Sequence, residues 1–534
     1  MPDLEYRVLE LSNPMPEPSD SVPEPAEEVR SGRRSVERFQ PYLAYVFKPA
    51  TLVAALMLAG LSLRLVSLGS RALWIDEGIT AQFASYDWSR FAKAVTSYPV
   101  NMAFYFAVLH VWTRIVGDSE FMLRLPSVLF ATATIAIVYS LGEKLFDRRS
   151  GLVSAALMTV SVSSIEFAQE ARSYTMVVML VAVSSLFFVE SVRKPSFANC
   201  AGYVVSSVMC IYSHMFGILV LPAQWLSLFL FRPGWQSARR LTLSAAVIAM
   251  CAAPQFLGVA RGDVVDLAWL ALMGTATRQR ILEFIALQTG TGFNLRVALI
   301  FLLACAAIAA VMAVLDKKSR AALGFLVLGM VVPAGITLAV SHFKPLFWPR
   351  YLLLCQSFFV VFAGAAISHI RPRPLILVAV AVVAVICLRQ DFLSYEIPQR
   401  EDWPGVVRYL ASEAKPGDAL IVSMGLGWQP LNYYRKRLFP DHGFPSLVYP
   451  DANALVPVLA DIPVKDALSA PHQRVWLVST GGNLHPVIYY RRSAGIEAAP
   501  SIGSFVQELT KTYHPGGVAR FGGVRVYLFD KEEP

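Results

Sequence analysis

The sequence predicts a polytopic α-helical membrane protein of about eleven spans, followed by a small C-terminal α/β domain outside the membrane. Of its 534 residues, 55% are hydrophobic and 16% are charged, whereas soluble domains carry about 25% charged residues. Apolar runs of about 16 to 22 residues recur along the chain, which is close to the length of a membrane-crossing helix. After about residue 391 these runs shorten and the charge density rises.

The predicted spans follow a Pro-, Glu- and Ser-rich segment, residues 1–45, which we expect to be a disordered cytoplasmic tail. The spans lie at about 50–67, 121–142, 151–168, 173–192, 198–213, 215–231, 240–258, 295–314, 321–340, 351–369 and 374–390. They define a transmembrane domain over residues 46–392. Its six cysteines fall in or beside apolar runs, without the spacing of a zinc site or a disulfide framework.

One further apolar run, residues 102–116, is either a twelfth span or a helix in the membrane interface. If it does not cross, the basic clusters at 144–149, 193–194, 232–240, 317–320 and 371–373 share one side with the basic N-terminal flank. That side is then the cytoplasm, because Lys and Arg concentrate in cytoplasmic loops. If the run crosses, five successive loops violate this rule. We therefore predict an interfacial helix within a first outer loop, residues 69–118. The net charge of +9 needs no nucleic-acid partner.

The last span delivers residues 393–534 to the outer side of the membrane. Trp403 to Ala414 has helical spacing, and residues 419–422, 474–478 and 524–529 have the composition of β-strands. These elements predict a small α/β domain, with the sequence Arg400-Glu401-Asp402-Trp403 as its hinge.

This topology brings polar stretches from five parts of the sequence to one outer face. They are the 69–105 segment, the turn at 169–174, His214, the loop at 259–294 and residues 347–351. Charged groups at the edge of a membrane are costly unless they face water, a partner or a substrate. ATP and nucleotide donors are cytoplasmic, so an outer site must draw an activated substrate from the membrane. A lipid-phosphate-linked sugar is such a substrate.

Asp76 is the candidate general base, because an acceptor hydroxyl must lose a proton when a sugar is transferred to it. Glu77 either orients this base or the acceptor, or is an ordinary solvated acid. Both carboxylates lie in a polar stretch that follows an apolar helix directly.

Arg172 and Arg350, on separate outer turns, are candidate ligands of the donor phosphate, because a guanidinium matches phosphate geometry. Arg350 has an alternative interpretation as a snorkelling residue at a helix end. Glu170 either holds Arg172 for the phosphate or forms an ordinary ion pair. Lys344 adds positive charge on the same side. The supporting candidates are Tyr174, His214, Asn101 and Tyr105, and a lone interfacial histidine is also typical of packing.

The sequence Trp74-Ile75-Asp76-Glu77-Gly78 resembles the first outer loop of the GT-C glycosyltransferases. This superfamily includes protein O-mannosyltransferases and the aminoarabinose transferase that modifies lipid A, and the bacterial members of glycosyltransferase family 39 are the most similar. The resemblance covers about residues 50–415. It continues through residues 104–105, 109–112, 117–127, 169–174, 348–351 and 400–403.

The resemblance implies a polyprenyl-phosphate-sugar donor, an inverting transfer, an outward-facing site in a bacterial inner membrane, and a catalytic role for Asp76. The interfacial helix is also a feature of this family. Many relatives have His-Pro-Pro or Asp-Pro-Pro where this chain has Asn101-Met102-Ala103, which removes a titratable group and a rigid turn from the site. Some GT-C enzymes need a divalent metal, and Asp76, Glu77 and Glu170 offer ligands, but we predict no metal.

Two other classes of protein share some of these features. A transporter or flippase for a lipid-linked glycan would also be polytopic and bind lipid phosphate, but transporters place their polar residues near the membrane midplane. A catalytically inactive scaffold would not require the Asp76–Glu77 pair. The sugar, the prenyl chain length and the acceptor are not specified by the sequence.

Overall fold

A computed structural model describes most of the transmembrane region and part of the C-terminal domain. The described residues are 48–97, 101–260, 278–292, 294–343, 346–395, 401–423, 427–440, 444–450, 472–480 and 506–531. The chain divides into two units, Met1–Leu52 and Val53–Pro534. Lys344, Arg400 and residues 261–277 and 293 of the 259–294 loop lie outside the described residues.

Eighteen helices are described, and we number them in chain order. The first nine are α1 Pro49–Leu65, α2 Ile75–Ser85, α3 Trp88–Ser97, α4 Ala103–Val116, α5 Glu120–Leu145, α6 Arg148–Val160, α7 Val162–Ala168, α8 Tyr174–Arg193 and α9 Phe197–Ser213. The others are α10 Val220–Phe231, α11 Trp235–Ala260, α12 Arg278–Thr289, α13 Leu295–Leu315, α14 Ser319–Val340, α15 Gln356–Ser368, α16 Pro374–Tyr395, α17 Trp403–Glu413 and α18 Trp428–Leu438. The 3₁₀ helices Met215–Leu219 and Pro349–Cys355 lead into α10 and α15.

Each of the eleven predicted spans is helical, which confirms the helical membrane fold. Within the described ranges, seven helices are long and apolar enough to cross a membrane, and an eighth span results if the bent pair α6–α7 is counted as one. The helix Pro49–Leu65 and the segments Phe197–Ser213 and Met215–Phe231 are shorter. The number eleven therefore stays a prediction. Helix α4 has 14 residues, fewer than the roughly 20 that span a bilayer.

The break between α6 and α7 shapes the end of the bundle at which α1 also ends. The two helices meet at 54°, and the side chain of Arg64 donates to the carbonyl oxygens of Met158 (2.9 Å) and Thr159 (3.1 Å) next to the break. Those carbonyls lose their helical partners at the bend, so a buried guanidinium replaces the missing donors. Gln169 Nε2 then donates to Val66 O at 2.8 Å. The turn after α7 is thus tied to the end of α1.

The C-terminal domain contains a five-stranded mixed sheet, which confirms the predicted small α/β fold. The strands are β1 Ala419–Val422, β2 Ser446–Tyr449, β3 Arg474–Thr480, β4 His514–Phe521 and β5 Val524–Asp530, in the spatial order β2-β1-β3-β5-β4. Strands β2, β1 and β3 are parallel, whereas β3, β5 and β4 are antiparallel. The core of this domain at Trp403, Leu420 and Trp476 is continuous with the core of the helix bundle.

Candidate active site

Asp76 lies in the first turn of α2, a helix whose start is held by the C-terminal domain. The N-cap residue Trp74 makes no capping hydrogen bond with its side chain. Instead, the backbone N–H of Ile75 donates to Glu401 Oε2 at 3.1 Å, and Trp403 Nε1 donates to the same oxygen at 2.7 Å. A carboxylate at the N-terminus of a helix satisfies a free N–H and complements the helix dipole. Glu401 therefore caps the helix that carries Asp76.

Two further contacts fix the C-terminal domain against the same segment. The N–H of Leu73 donates to Tyr434 Oη at 2.8 Å. Gly78 packs so closely on Pro430 that a Cβ atom at residue 78 would lie 2.6 Å from Pro430 N. Glycine is required here because any side chain would push α18 away from α2. The position of Asp76 thus depends on both domains.

Glu77 is a buried, fully paired carboxylate, so its interpretation as a solvated acid is wrong. Its side chain is 1% exposed, and it accepts hydrogen bonds from Arg124 Nε (2.8 Å) and Arg124 Nη2 (2.7 Å). Oε1 of Glu77 also accepts the N–H of Ala171 at 2.8 Å. Because Ala171 precedes Arg172, Glu77 holds the turn that carries the predicted phosphate ligand.

Arg124 lies within the 117–127 stretch of the family resemblance and completes this pair. Its remaining N–H groups donate to the carbonyl oxygens of Leu68 (2.8 Å), Arg71 (2.9 Å) and Ala72 (3.2 Å). A buried charge inside a predicted membrane helix is a signal by itself, because such residues are expensive and pair with one another. The sequence did not show which carboxylate is its partner.

The structure brings Asp76, Arg172 and Arg350 together, although the three residues are far apart in sequence. Oδ2 of Asp76 lies 3.6 Å from Arg172 Nη2 and 3.5 Å from Arg350 Nη2. Arg172 Nη1 also donates to the backbone oxygen of Asp76 at 3.2 Å. The Asp76 side chain is 22% exposed, whereas both arginine side chains are buried. One carboxylate therefore faces two guanidinium groups at distances longer than a good charge-assisted hydrogen bond.

Several donors in this cluster have no hydrogen-bond partner in the described structure. They are Nε of Arg172, Nε and Nη1 of Arg350, and the hydroxyl of Tyr174, all of them buried. Buried donors without partners are costly and call for an explanation. Their convergence beside a shared carboxylate is the arrangement expected for a site that receives an anion.

Arg350 does not snorkel towards water. Its guanidinium lies over three aromatic rings, with the carbon Cζ 5.5 Å from the centroid of Trp74, 5.8 Å from Tyr351 and 6.0 Å from Tyr174. Cations over aromatic faces are attracted by the ring quadrupole. This cage holds Arg350 in place without using its N–H groups.

The supporting residues Tyr105, His214, Asn101 and Glu170 lie around the cluster of Asp76, Arg172 and Arg350. Tyr105 is buried and meets Ser127 Oγ at 3.0 Å, and Ser127 Oγ donates to Arg172 O at 3.1 Å, so Ser127 links Tyr105 to the cluster. Burial raises the pKa of the Tyr105 hydroxyl. His214 and Asn101 lie beside each other, with Nε2 and Nδ2 3.4 Å apart. Glu170 is buried, and its charge acts on Arg124 and Arg350.

In the described part of the chain, no group of three His, Cys, Asp or Glu side chains is placed to hold a metal ion. The geometry at Asp76 also opposes a cation, since two guanidinium groups already face its carboxylate.

Comparisons with known proteins agree with this architecture. Residues 101–257 match the family described as dolichyl-phosphate-mannose-protein mannosyltransferase. The structure of ArnT from Cupriavidus metallidurans bound to undecaprenyl phosphate is similar, with a TM-score of 0.60 and 15% identity over 89% of this chain and 97% of that one. AglB, an archaeal oligosaccharyltransferase from Archaeoglobus fulgidus solved with an inhibitory peptide and a dolichol-phosphate, gives a TM-score of 0.52 and 11% identity over 92% of this chain and 74% of that one.

None of the curated proteins is a significant sequence match to the chain. The family match covers helix α4, the turn at 169–174 and His214, which are parts of the site described above. The structural matches extend over the helix bundle and the C-terminal domain. The chain thus has the fold of the GT-C glycosyltransferases, and the resemblance to this superfamily predicted from its motifs is confirmed.

Proposed function

We propose that this chain is a membrane glycosyltransferase that moves one sugar from a polyprenyl-phosphate carrier to an acceptor hydroxyl, with inversion. The supporting observation is that Arg172 and Arg350 share one carboxylate and keep unpartnered, buried N–H groups beside it. Guanidinium groups pair with phosphate oxygens through two parallel hydrogen bonds. Two proteins with this fold were solved with undecaprenyl phosphate or a dolichol-phosphate, which supports the same ligand class here.

The long contacts between Asp76 and the two arginines suggest how donor binding releases the general base. A donor phosphate offers Arg172 and Arg350 shorter, better aligned partners than the carboxylate at 3.5 to 3.6 Å. When the arginines turn to the phosphate, the Asp76 carboxylate is released from these contacts and is free to accept the hydrogen bond of the acceptor hydroxyl. Donor binding and base activation are coupled in this scheme.

The transfer then takes place as a single displacement. The acceptor oxygen attacks the anomeric carbon from the face opposite the phosphate, so the configuration is inverted. The bond between this carbon and the phosphate oxygen breaks, and its electron pair stays on the phosphate, where the two arginines stabilise the added charge. The hydroxyl proton passes to Asp76. No proton is needed on the leaving group.

The remaining residues position this machinery. Glu77 and Arg124 fix the turn before Arg172, and Glu170 and Tyr174 complete the environment of Arg350. We retain Lys344 as a proposed additional phosphate ligand. The reaction in this scheme needs no resident metal, and transfer should therefore continue in excess EDTA.

The proposed location is a bacterial inner membrane, with the N-terminus in the cytoplasm. The tail 1–45 lies inside, the transmembrane domain 46–392 carries the site at its outer end, and the domain 393–534 lies outside. This orientation follows from the basic loops at 144–149 and 317–320. The acceptor is then a lipid, glycan or protein of the cell envelope.

A lipid-linked glycan flippase is the alternative function, and the position of the cluster speaks against it. Asp76, Arg172 and Arg350 lie at helix ends: in the first turn of α2, in the turn between α7 and α8, and in the 3₁₀ helix before α15. Transporters place such groups at broken helices near the midplane.

The decisive experiment measures release of polyprenyl phosphate by the purified chain in detergent. A panel of polyprenyl-phosphate-linked hexoses and pentoses is supplied with membrane extract as the source of acceptor. We expect release from one donor, with the label moving to an extract component. Asp76→Asn should lower this turnover on the order of 10²- to 10⁴-fold, the usual contribution of a general base, while polyprenyl phosphate still binds.

Asp118→Asn is the matched control, since Asp118 is an exposed carboxylate of the same loop paired with Arg437. It should transfer sugar at the wild-type rate. Near-normal turnover by Asp76→Asn would remove the general base from the mechanism. Movement of a labelled lipid across liposomes without any release of polyprenyl phosphate would establish the flippase instead.

A further inference from the structure

His214 is held in a defined protonation state by its backbone neighbour. The residue lies between α9 and the 3₁₀ helix Met215–Leu219, and its Nδ1 accepts the N–H of Phe216 at 3.2 Å. Only a ring nitrogen without a proton can accept a hydrogen bond. The proton of the neutral ring is therefore on Nε2.

The surroundings keep the ring neutral. His214 is 2% exposed, and burial, together with the positive charges of Arg172 and Arg350, lowers its pKa to about 3. A second proton on Nδ1 would also break the bond to Phe216. At neutral pH the Nε2–H of His214 is consequently a fixed hydrogen-bond donor.

The side chain next to this donor is also a donor. Asn101 Oδ1 accepts the N–H of Met215 at 2.8 Å, which leaves its Nδ2 facing His214 Nε2 at 3.4 Å. A flip of the amide would set its NH₂ group against the Met215 N–H, so the orientation is determined. With the proton of His214 on Nε2, as the Phe216 contact requires, neither of these two N–H groups can accept from the other.

We propose that His214 Nε2–H and Asn101 Nδ2–H together bind one hydroxyl oxygen of the transferred sugar. Both groups are neutral, and a neutral donor pair suits a hydroxyl oxygen, whereas the phosphate charge is met by Arg172 and Arg350. This assignment rests on the proposed function. It makes Asn101 and His214 residues that select the sugar.

The location of the pair fits a sugar attached to a phosphate at the arginines. The His214 ring lies 5.1 Å from the ring of Tyr351 and 6.2 Å from that of Tyr174. Both tyrosines also pack against the Arg350 guanidinium. The group directly bonded to the phosphate is the sugar, so its hydroxyls are the first oxygens that reach His214.

Asparagine at residue 101 is essential to this arrangement. An aspartate would place a carboxylate oxygen where Nδ2 now lies, and that oxygen would accept the His214 Nε2–H directly. The Nε2–H of His214 would then be bonded within the protein and would no longer be available to a sugar hydroxyl. This contrast supplies an almost isosteric test.

The test compares the affinities of two ligands for purified variants in detergent. The probes are polyprenyl phosphate and the polyprenyl-phosphate sugar turned over in the donor panel. His214→Asn keeps an oxygen that can accept the Phe216 N–H but removes the Nε2–H, and Asn101→Asp keeps the acceptor for Met215. We expect each variant to lose roughly three- to tenfold in affinity for the sugar-bearing donor relative to polyprenyl phosphate, the loss of one neutral hydrogen bond.

Deoxygenated donors identify the contacted oxygen. For wild type, removal of one particular hydroxyl should cost a similar factor, and the same donor should show no further loss in His214→Asn. His369→Asn, a histidine after the last turn of α15, is the matched control and should behave as wild type. Selective ¹⁵N labelling should show the Nε2–H tautomer of His214.

Equal weakening of both probes would assign the pair to the phosphate and overturn the proposal, as would unchanged affinity for both. An Nδ1–H tautomer would overturn it independently of any ligand. A wild-type chain that binds neither probe would instead contradict the proposed function, and this assignment with it.

Discussion

Two neighbouring carboxylates, Asp76 and Glu77, meet buried arginines in opposite ways. All five N–H groups of Arg124 are bonded, two to Glu77 and three to backbone carbonyls, at 2.7 to 3.2 Å. Arg350 reaches Asp76 with Nη2 at 3.5 Å, and its Nε and Nη1 have no partner in the described structure. We call the Glu77–Arg124 pair closed, because every N–H group of its arginine is bonded. We call the Asp76–Arg350 pair open, because N–H groups of its arginine have no partner in the described structure.

This difference separates structural from ligand-binding charge. A closed pair cannot accept a ligand without breaking bonds already made, and the loss of one partner leaves an uncompensated buried charge. An open pair carries the cost of unpartnered donors until an anion arrives. Adjacent residues in one helical turn can therefore serve different purposes. In the proposed mechanism, Glu77 positions the turn that carries Arg172, and Asp76 acts on the acceptor.

The largest expected contrast is in stability. Glu77→Gln should lower the free energy of unfolding by about 3–5 kcal/mol, because it leaves Arg124 buried without its charge partner. Asp76→Asn should lower it less, because its ion pairs with Arg172 and Arg350 are 3.5 to 3.6 Å long and 22% of its side chain is exposed. Thermal unfolding of the two variants in one detergent measures both. Equal losses of stability would erase the distinction between closed and open pairs.

Arginine-to-lysine substitutions should separate the two pairs by a different readout. Arg350→Lys keeps the charge but loses the fork that matches phosphate, so affinity for polyprenyl phosphate should fall roughly 10- to 100-fold, with stability nearly unchanged. The expected loss corresponds to one or two charge-assisted hydrogen bonds.

Arg124→Lys is the matched control for this substitution. A lysine cannot replace five bonded N–H groups, so this variant should unfold at a lower temperature. Because Glu77 can still accept the N–H of Ala171 and hold the turn before Arg172, the folded variant should lose much less affinity for polyprenyl phosphate than Arg350→Lys. Weaker binding without loss of stability in Arg124→Lys would mean that the closed pair also contacts the ligand.

The sequence predicted the open pair better than the closed one. Hydropathy and the distribution of Lys and Arg placed Asp76, Arg172 and Arg350 on one face, and the structure brings these side chains together. The strands at 419–422, 474–478 and 524–529 were also predicted and are confirmed. These features depend on local pattern and on membrane side.

The closed pair and the helix cap depend on which side chains meet across the fold. Arg124 and Glu77 are 47 residues apart, and Ile75 and Glu401 are 326 residues apart. Neither hydrophobic periodicity nor the distribution of Lys and Arg among the loops shows which side chains meet across the fold. The buried charge of Arg124 in a membrane helix was the available signal, but Glu77 is one of several acids on the outer side.

Lowering the pH should lower the free energy of unfolding through His214, which lies beside the open pair. The residues facing its ring are Asn101, Tyr174, Phe216 and Tyr351. The charges acting on it are those of Arg172 and Arg350. Its native pKa of about 3 lies below the ordinary value near 6.5. As the pH falls through 6.5, the unfolded chain therefore takes up this proton first.

The contribution of His214 to the free energy of unfolding is fully present above about pH 6.5, and it is lost progressively as the pH falls towards 3. At pH 5 the expected loss is on the order of 2 kcal/mol. Unfolding temperatures at pH 7 and pH 5 measure it, and His214→Asn should reduce the difference. An identical pH dependence in wild type and variant would show that His214 is not the group responsible.

The smallest effect should come from the contact between the C-terminal domain and the segment before Asp76. Tyr434→Phe removes the acceptor of the buried Leu73 N–H. This loss should lower the free energy of unfolding by about 1 kcal/mol. It should also lower kcat more than affinity for the donor, because Asp76 is the group displaced. Tyr433→Phe is the control, since the Tyr433 hydroxyl donates to Asp118 O near solvent and its loss should leave both constants unchanged. Hydrogen exchange of residues 73–78 should quicken in Tyr434→Phe alone. If both variants exchange and turn over as wild type does, the domain contacts α2 without positioning its carboxylate, and Glu401 alone holds the start of that helix.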